Sequence, residues 1–214
     1  MTVKIGVVGQ KGGVCKSGIA RALNCAYTMA GWHSIIAELD ISQSTVQMWL
    51  QTRIENGIEP AVAVQSFATV SQALRIADHY DAMIFDGGAR ATKTTVDIAK
   101  ASDFIVIPTG FAVDDMRPAA SLANELADDH GIPIERIAFA FCRTGDSPAE
   151  HVEARSYLLK TRFHVLGGAI PEKGMYRRAH DTGLSLIEAR HPGLRKKADE
   201  LIQSITDRVA LLTK

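Results

Sequence analysis

Lys11-Gly12-Gly13-Val14-Cys15-Lys16-Ser17 is the segment of this chain best equipped for chemistry. Adjacent glycines, without Cβ atoms, let consecutive backbone N–H groups converge on one anion. Lys16 adds a cation, and the Ser17 hydroxyl is the kind of hard oxygen that ligates a divalent metal. The set suits a polyphosphate, with Lys16 placed for the β- and γ-phosphates and Ser17 for Mg²⁺. Such a loop works only between a strand and a helix whose N-terminus contributes partial positive charge. The flanks meet that demand. Val3–Gly9 is an apolar strand pattern, and Ser17–Ala30 is a helix pattern with Ile19, Leu23, Ala26, Tyr27 and Ala30 on one face and Gly31 as its stop. A glycine turn between a strand and a helix is commonplace; one followed at this spacing by Lys-Ser is not.

The rest of the chain supplies the scaffold. Ser34–Leu39, Ala61–Val64, Ala82–Phe85, Phe104–Pro108, Ile137–Phe141 and Val165–Ile170 are short runs, rich in β-branched residues and apolar on both sides. Helix patterns at Thr69–His79, Thr92–Ala101, Pro118–His130, Ala149–Lys160 and Pro192–Leu212 fall between and after them. Strand–helix alternation predicts an α/β fold, a mostly parallel twisted sheet with helices on both faces. Without a linker or repeat, residues 1–214 are expected to form one domain.

Composition narrows the function classes. Of 214 residues, 46% are hydrophobic and 22% charged, an ordinary globular balance. No apolar run reaches the roughly 18 residues that a bilayer crossing takes, and the N-terminus lacks a signal-peptide pattern. A cytoplasmic location is expected. Cys15, Cys25 and Cys142 are far apart in sequence and read as free thiols in a reducing compartment. The seven histidines show no metal-binding spacing and read as surface or capping residues.

Two aspartates end apolar strands on the side where the loop lies. Asp40 follows Glu38-Leu39, and Asp86 closes Ala82-Met83-Ile84-Phe85 ahead of Gly87-Gly88. In a parallel sheet, sites gather at strand C-termini, so both carboxylates are candidates to hold Mg²⁺. For Asp40 the competing reading is a helix cap.

The loop with its early lysine, Lys11, resembles the deviant Walker A box of the ParA and MinD ATPases. The likeness runs from about residue 3 to about residue 200. Glu38-Leu39-Asp40-Ile41-Ser42-Gln43 resembles the family's D-x-D-P-Q box in part. Phe85-Asp86-Gly87-Gly88 resembles Walker B, Ala101–Pro108 a late strand, and Ile170–Ala179 the proline-bearing adenine loop. The chain departs from the pattern at Cys15, where the family has glycine, at Glu38 and Ile41, and in the place of Gln43. The resemblance implies an ATP-dependent homodimer with nucleotide sandwiched between protomers and ATP and Mg²⁺ as cofactors. Lys11, Lys16 and Asp40 would be catalytic, with Lys11 reaching the partner's phosphates. Gly12, Gly13, Val14, Cys15, Lys16, Ser17, Gly18 and Pro171 would surround the nucleotide, and Ser17, Asp40 and Asp86 the metal. It implies a short partition ATPase without an N-terminal helix-turn-helix, working on the nucleoid with a ParB-like centromere-binding protein and reset by hydrolysis.

Charge adds one more expectation. Residues 1–150 hold 12 Lys/Arg against 17 Asp/Glu, and residues 151–214 hold 12 against 7. A basic final third suits non-specific DNA, with Arg177, Arg178, Arg195, Lys196 and Lys197 as candidate contacts, or it is a solvated helical face. A MinD-like membrane cycle would need a cationic amphipathic tail; Ala198–Lys214 instead carries Asp199, Glu200 and Asp207 and no aromatic residue. A low-turnover scaffold for conjugation or other cargo is the remaining alternative. An iron–sulfur reductase would need cluster cysteines that Cys142 alone does not supply.

Overall fold

In the computed structural model, residues 2–41, 44–88 and 93–213 are described. A single all-parallel sheet takes in seven strands, β1 (Val3–Val7), β2 (Ser34–Glu38), β3 (Ala63–Ser66), β4 (Ala82–Asp86), β5 (Phe104–Thr109), β6 (Ile137–Thr144) and β7 (His164–Pro171), in the order β3-β2-β4-β1-β5-β6-β7. β2, β4 and β5 are buried along their whole length, which is why their sequences read as largely apolar runs rather than alternating ones. The strand order reverses at β1, and there the loop of Lys11–Ser17 emerges. Register places Glu38 beside Asp86 and Val7 beside Asp86 at the C-terminal edge.

Helices cover both faces. One layer is built on α1 (Lys16–Met29), α2 (Thr45–Glu55), α7 (Gly174–Asp181) and α8 (Pro192–Leu212); the other on α3 (Val70–Leu74), α4 (Lys93–Ala101), α5 (Val113–Asp128) and α6 (Pro148–Leu158). Within α1, Ile19 and Leu23 are fully buried on the sheet, each side chain stabilising by about 1.5–3 kcal/mol. That packing anchors the phosphate loop at the head of the helix. α8 lays Ala198, Leu201, Ile202, Ile205 and Val209 against the core.

The expected strands and six of the helices are present, with shifted ends. α5 starts at Val113, ahead of the expected Pro118, so that Pro118 lies inside the helix. Helices α2 and α7 have no counterpart in the sequence patterns. The buried stripe of α2 is Val46, Trp49 and Arg53. An arginine where the apolar period calls for a hydrophobe, with Met48 and Ile54 exposed on other sides, erases the helical signature. Arg53 is accommodated because Glu188 takes two of its N–H groups, at 2.9 Å each, and the carbonyls of Gly183 and Pro60 take the rest. α7 is eight residues long and buries only Tyr176 and Ala179.

Candidate nucleotide site

The phosphate loop is held from three sides. Lys16, only 7% exposed, donates from Nζ to the Lys11 carbonyl at 2.9 Å and so closes the loop on itself. Arg143, at the end of β6, donates from Nη1 to the Gly13 carbonyl at 2.7 Å. Gly13 has φ +75°, a backbone conformation that favours glycine, and a Cβ there would lie 2.8 Å from that guanidinium and displace it. Cys15 occupies the N-cap position of α1 in the left-handed region, φ 73° and ψ 21°. Its Sγ seats directly on Gly18, where an added Cβ would come within 2.6 Å of the sulfur.

A cleft of about 460 Å³ opens over the loop. Gly12, Gly13, Cys15, Lys16, Ser17 and Gly18 form its floor, Asp40 and Gly87 one end, and Ile170, Pro171, Glu172 and Tyr176 the other. Asp86 lies beneath it, 1% exposed. Burial pushes its carboxyl up to about 6 against the Ser17 hydrogen bond and the nearby Arg21 and Lys16, with Glu38 adding to the rise. Among the described residues its Oδ1 has no hydrogen-bond partner. A buried carboxylate oxygen without a partner, next to a serine hydroxyl, costs stability unless something cationic completes it. This donor set fits a hard divalent cation such as Mg²⁺. Among the described residues no group of three or more His, Cys, Asp or Glu is gathered for a metal, so any further ligands would come from phosphate and water. Burial lowers the pKa of Lys16 against the pull of Asp86 and Asp40, leaving a desolvated cation that an anion would stabilise.

Asp40 leans over Gly88, whose added Cβ would be 3.6 Å from its Oδ2. Ser44 occupies the N-cap position of α2 without a side-chain cap hydrogen bond, and Glu38 Oε1 accepts the N–H of Val46 at 2.8 Å. Glu38 Oε2 accepts from Ser66 Oγ at 2.9 Å. Glu38, matched above to a family aspartate, is therefore buried and spent on tying β2 to α2 and β3. Gln43, matched above to the family glutamine, lies outside the described residues.

Several expected site residues stand away from the cleft. Lys11 is turned aside, its Nζ 2.8 Å from Asp115 Oδ1 on α5. Val14 does not line the cleft; its Cγ2 packs toward Gly9 and would meet an added Cβ there at 3.6 Å. Arg177 lies on the cleft rim and is paired with Glu172, which also pairs with Arg143. Arg178, Arg195, Lys196 and Lys197 are exposed on α7 and α8. The hydroxyl of Tyr176 donates to the Leu194 carbonyl at 2.6 Å, joining α7 to the start of α8.

Among the cleft residues not read as site candidates from the sequence are Arg21 and His180. Arg21, 8% exposed, donates to the Thr45 carbonyl at 2.7 Å and leaves its Nε buried and, among the described residues, unpartnered. His180 was expected at the surface or as a cap. Instead it lines the cleft with Nε2 buried and, among the described residues, unpartnered, and burial, then Arg21, pushes its pKa down to about 4. The expectation of capping does hold for His191, whose ring accepts the N–H of Leu194.

A glycine-rich loop at the reversal point of an all-parallel sheet, with Lys11 at its head and Asp86 under Ser17, defines a deviant Walker ATPase of the ParA/MinD superfamily. Within it, the chain belongs to the family of the ATPase MipZ, whose sequence model matches residues 3–139. No curated protein sequence matches the chain. MinD from Pyrococcus horikoshii complexed with Mg-ADP superposes with a TM-score of 0.76 at 14% identity, covering 100% of each chain. Apo McdA from Cyanothece gives 0.72 at 16% identity, over 96% of this chain and 100% of that one. A plasmid partition protein of Borrelia burgdorferi bound to AMPPNP gives 0.70 at 15%, over 97% and 100%. At these identities the likeness establishes the fold.

Proposed function

We propose that the chain is an ATP-dependent dimerising ATPase that segregates or positions DNA, binding DNA without sequence preference in its ATP state and reset by a ParB-like partner. The observation that carries the nucleotide reading is the unpartnered Asp86 Oδ1 set beneath Ser17, beside a buried Lys16. Mg²⁺, when bound, supplies charge neutralisation to the phosphates. Ser17, Asp86 and Asp40 would hold it directly or through water. Lys16 and the N–H groups of the loop orient the phosphates, and Asp40 is placed to direct an attacking water. Pro171 and Ile170 offer an apolar wall to the base.

The MinD-like alternative, cycling on a membrane, asks for an amphipathic helix with a free apolar face. In α8 that face is already packed on the sheet, and no described helix is long and apolar enough to cross a bilayer. This favours DNA over lipid for the basic residues at the head of α8. Calorimetry on Lys16→Ala tests the nucleotide site; unchanged Mg·ATP affinity would sink it. Gel shifts with ATP, ADP and no nucleotide, run beside sedimentation with anionic liposomes, separate DNA from membrane.

A further inference from the structure

We propose that Arg21 and His180 are specificity-determining contacts for the nucleotide, two N–H donors in the cleft wall that take its α-phosphate. The proposal rests on the nucleotide reading of the cleft. Both side chains line that cleft, and each keeps a buried nitrogen, Arg21 Nε and His180 Nε2, for which the described residues offer no partner. An orphaned buried donor costs stability, and two of them side by side call for an acceptor. A guanidinium stays charged even when it is only 8% exposed, and a desolvated cation is stabilised by an anion. His180 is held neutral by burial, so in its Nε2–H tautomer it contributes a hydrogen bond and no second charge.

The two residues meet at one turn of α1. Helical side chains lie over the turn N-terminal to their own Cα, which places Arg21 over Ser17 and Gly18. His180 comes to the same turn from α7. A Cβ on Gly18 would lie 3.3 Å from its Cε1, and the glycine leaves room for the imidazole. The N–H groups of a phosphate loop cradle the α- and β-phosphates, while its lysine reaches the β and γ. Asp40 marks the metal end of the cleft, and Ile170 and Pro171 mark its apolar end. The wall at Gly18 falls between them, beside the one phosphate that Lys16 does not reach.

Both nitrogens are shielded from water, so they meet an entering phosphate only by turning toward the cleft. Arg21 is lightly anchored for such a turn. Its Nη2 donates to the Thr45 carbonyl at the head of α2, at 2.7 Å, and its guanidinium lies 5.4 Å from the centre of the Trp49 ring. Trp49 keeps its own place through Arg53, 5.6 Å from the ring, and through a bond from Nε1 to the Leu184 carbonyl at 3.1 Å. Occupation of the cleft therefore changes the surroundings of Trp49 by drawing Arg21 away from it.

The test measures, on the full chain, calorimetric affinities for ATP, ADP and the two diastereomers of ATPαS, in which sulfur replaces one or the other α-oxygen. Sulfur accepts hydrogen bonds poorly, so the parent should prefer one diastereomer. His180→Phe and Arg21→Lys, which keep the ring and the cation respectively, should each lose about tenfold in affinity for ATP and ADP alike. The ratio between diastereomers should fall with it. In Trp32→Phe, which leaves Trp49 as the sole indole, Mg·ATP should shift the emission. Variants that bind as the parent does, or that lose affinity at an unchanged diastereomer ratio, would overturn the proposal, and so would Trp49 emission indifferent to bound nucleotide. A parent that binds neither ATP nor ADP removes the nucleotide reading together with this proposal; a parent that binds both beside unaffected variants removes this proposal alone.

Discussion

Lys11 Nζ lies 2.8 Å from Asp115 Oδ1, tying the first residue of the phosphate loop to the first turn of α5. Both side chains are substantially exposed, so the pair stabilises by at most about 1 kcal/mol and weakens with salt. It is strong enough to park Lys11 and weak enough to release it to a second protomer. Asp115→Asn is therefore expected to raise ATP-dependent dimerisation by up to roughly fivefold. Lys11→Ala should weaken dimerisation while leaving nucleotide affinity of the monomer nearly intact. Sedimentation velocity with Mg·ATP reads both. Equal dimerisation of Lys11→Ala and parent would remove Lys11 from any role across an interface.

The Mg²⁺ assignment predicts a separable phenotype for Asp86. Asp86→Asn keeps the shape and removes the charge, so folding should survive and the unpartnered oxygen's cost should ease. ATP affinity measured with Mg²⁺ should then approach the affinity measured with EDTA. A mutant that retains the full difference between the two conditions would show that Asp86 holds no metal. Asp40→Ala, by contrast, is expected to bind Mg·ATP and lose turnover.

The loop, the parallel sheet and the strand-end aspartates are local or periodic features, and a sequence displays those openly. What was hidden depends on contacts between distant segments. Arg53 breaks the apolar period of α2 because its partner, Glu188, lies far along the chain. Glu38 reads as a site carboxylate until α2 arrives to take its oxygen. The approach of Arg143 to Gly13, and of His180 to Gly18, has no spacing signature at all, since each is set by how β6 and α7 meet the head of α1.

Cys15 stands at φ 73°, a backbone region costing a non-glycine residue about 1–2 kcal/mol. Cys15→Gly would remove that strain, but it frees the unfolded chain by about 0.4–1 kcal/mol and discards the thiol's packing against Gly18. The terms nearly cancel, and stability in urea should change by less than about 1 kcal/mol. The loop itself, relieved of a Cβ at that left-handed position, should bind ATP more tightly or turn it over faster. If neither affinity nor rate moves, the cradle tolerates the side chain without penalty.

The Arg53–Glu188 pair makes a stability prediction with a pH signature. Removing one partner strands a buried charge, and Glu188→Ala is expected to cost about 3–5 kcal/mol. Burial works to raise the Glu188 pKa, but the hydrogen bonds from Arg53 and Ser185 outweigh it and hold the carboxyl below its usual range. A depressed folded-state pKa gives stability that is present above the unfolded-state value of about 4.3 and is lost as pH falls through the lower folded value. The gap between parent and Glu188→Gln in denaturant midpoints should thus be open at neutral pH and narrow on acidification below about 4. A gap that is constant with pH would mean that Glu188 acts by packing alone.

The basic residues at the start of α8 carry the DNA prediction. Arg195, Lys196 and Lys197 are exposed, and the first turn of that helix holds no acidic residue to balance its positive end. Cations near a helix N-terminus are mildly unfavourable, so their place there is better explained by an anionic partner than by helix stability. Arg178 on α7 lies within the same joined pair of helices, through the Tyr176–Leu194 hydrogen bond. Arg177 is engaged by Glu172 and should contribute less. A single protomer offers few phosphate contacts, and a dimer formed on ATP doubles them. Log affinity for duplex DNA should fall with log salt at about −0.9 per phosphate contacted. Replacing Arg195, Lys196 and Lys197 together by alanine should weaken binding to all sequences alike and flatten that slope by roughly three per protomer. Gel shifts at several salt concentrations, with ATP and with ADP, give the slope directly. Binding that is absent with ATP, or a slope that the triple substitution leaves unchanged, would take DNA away from this surface and bring the scaffold reading forward.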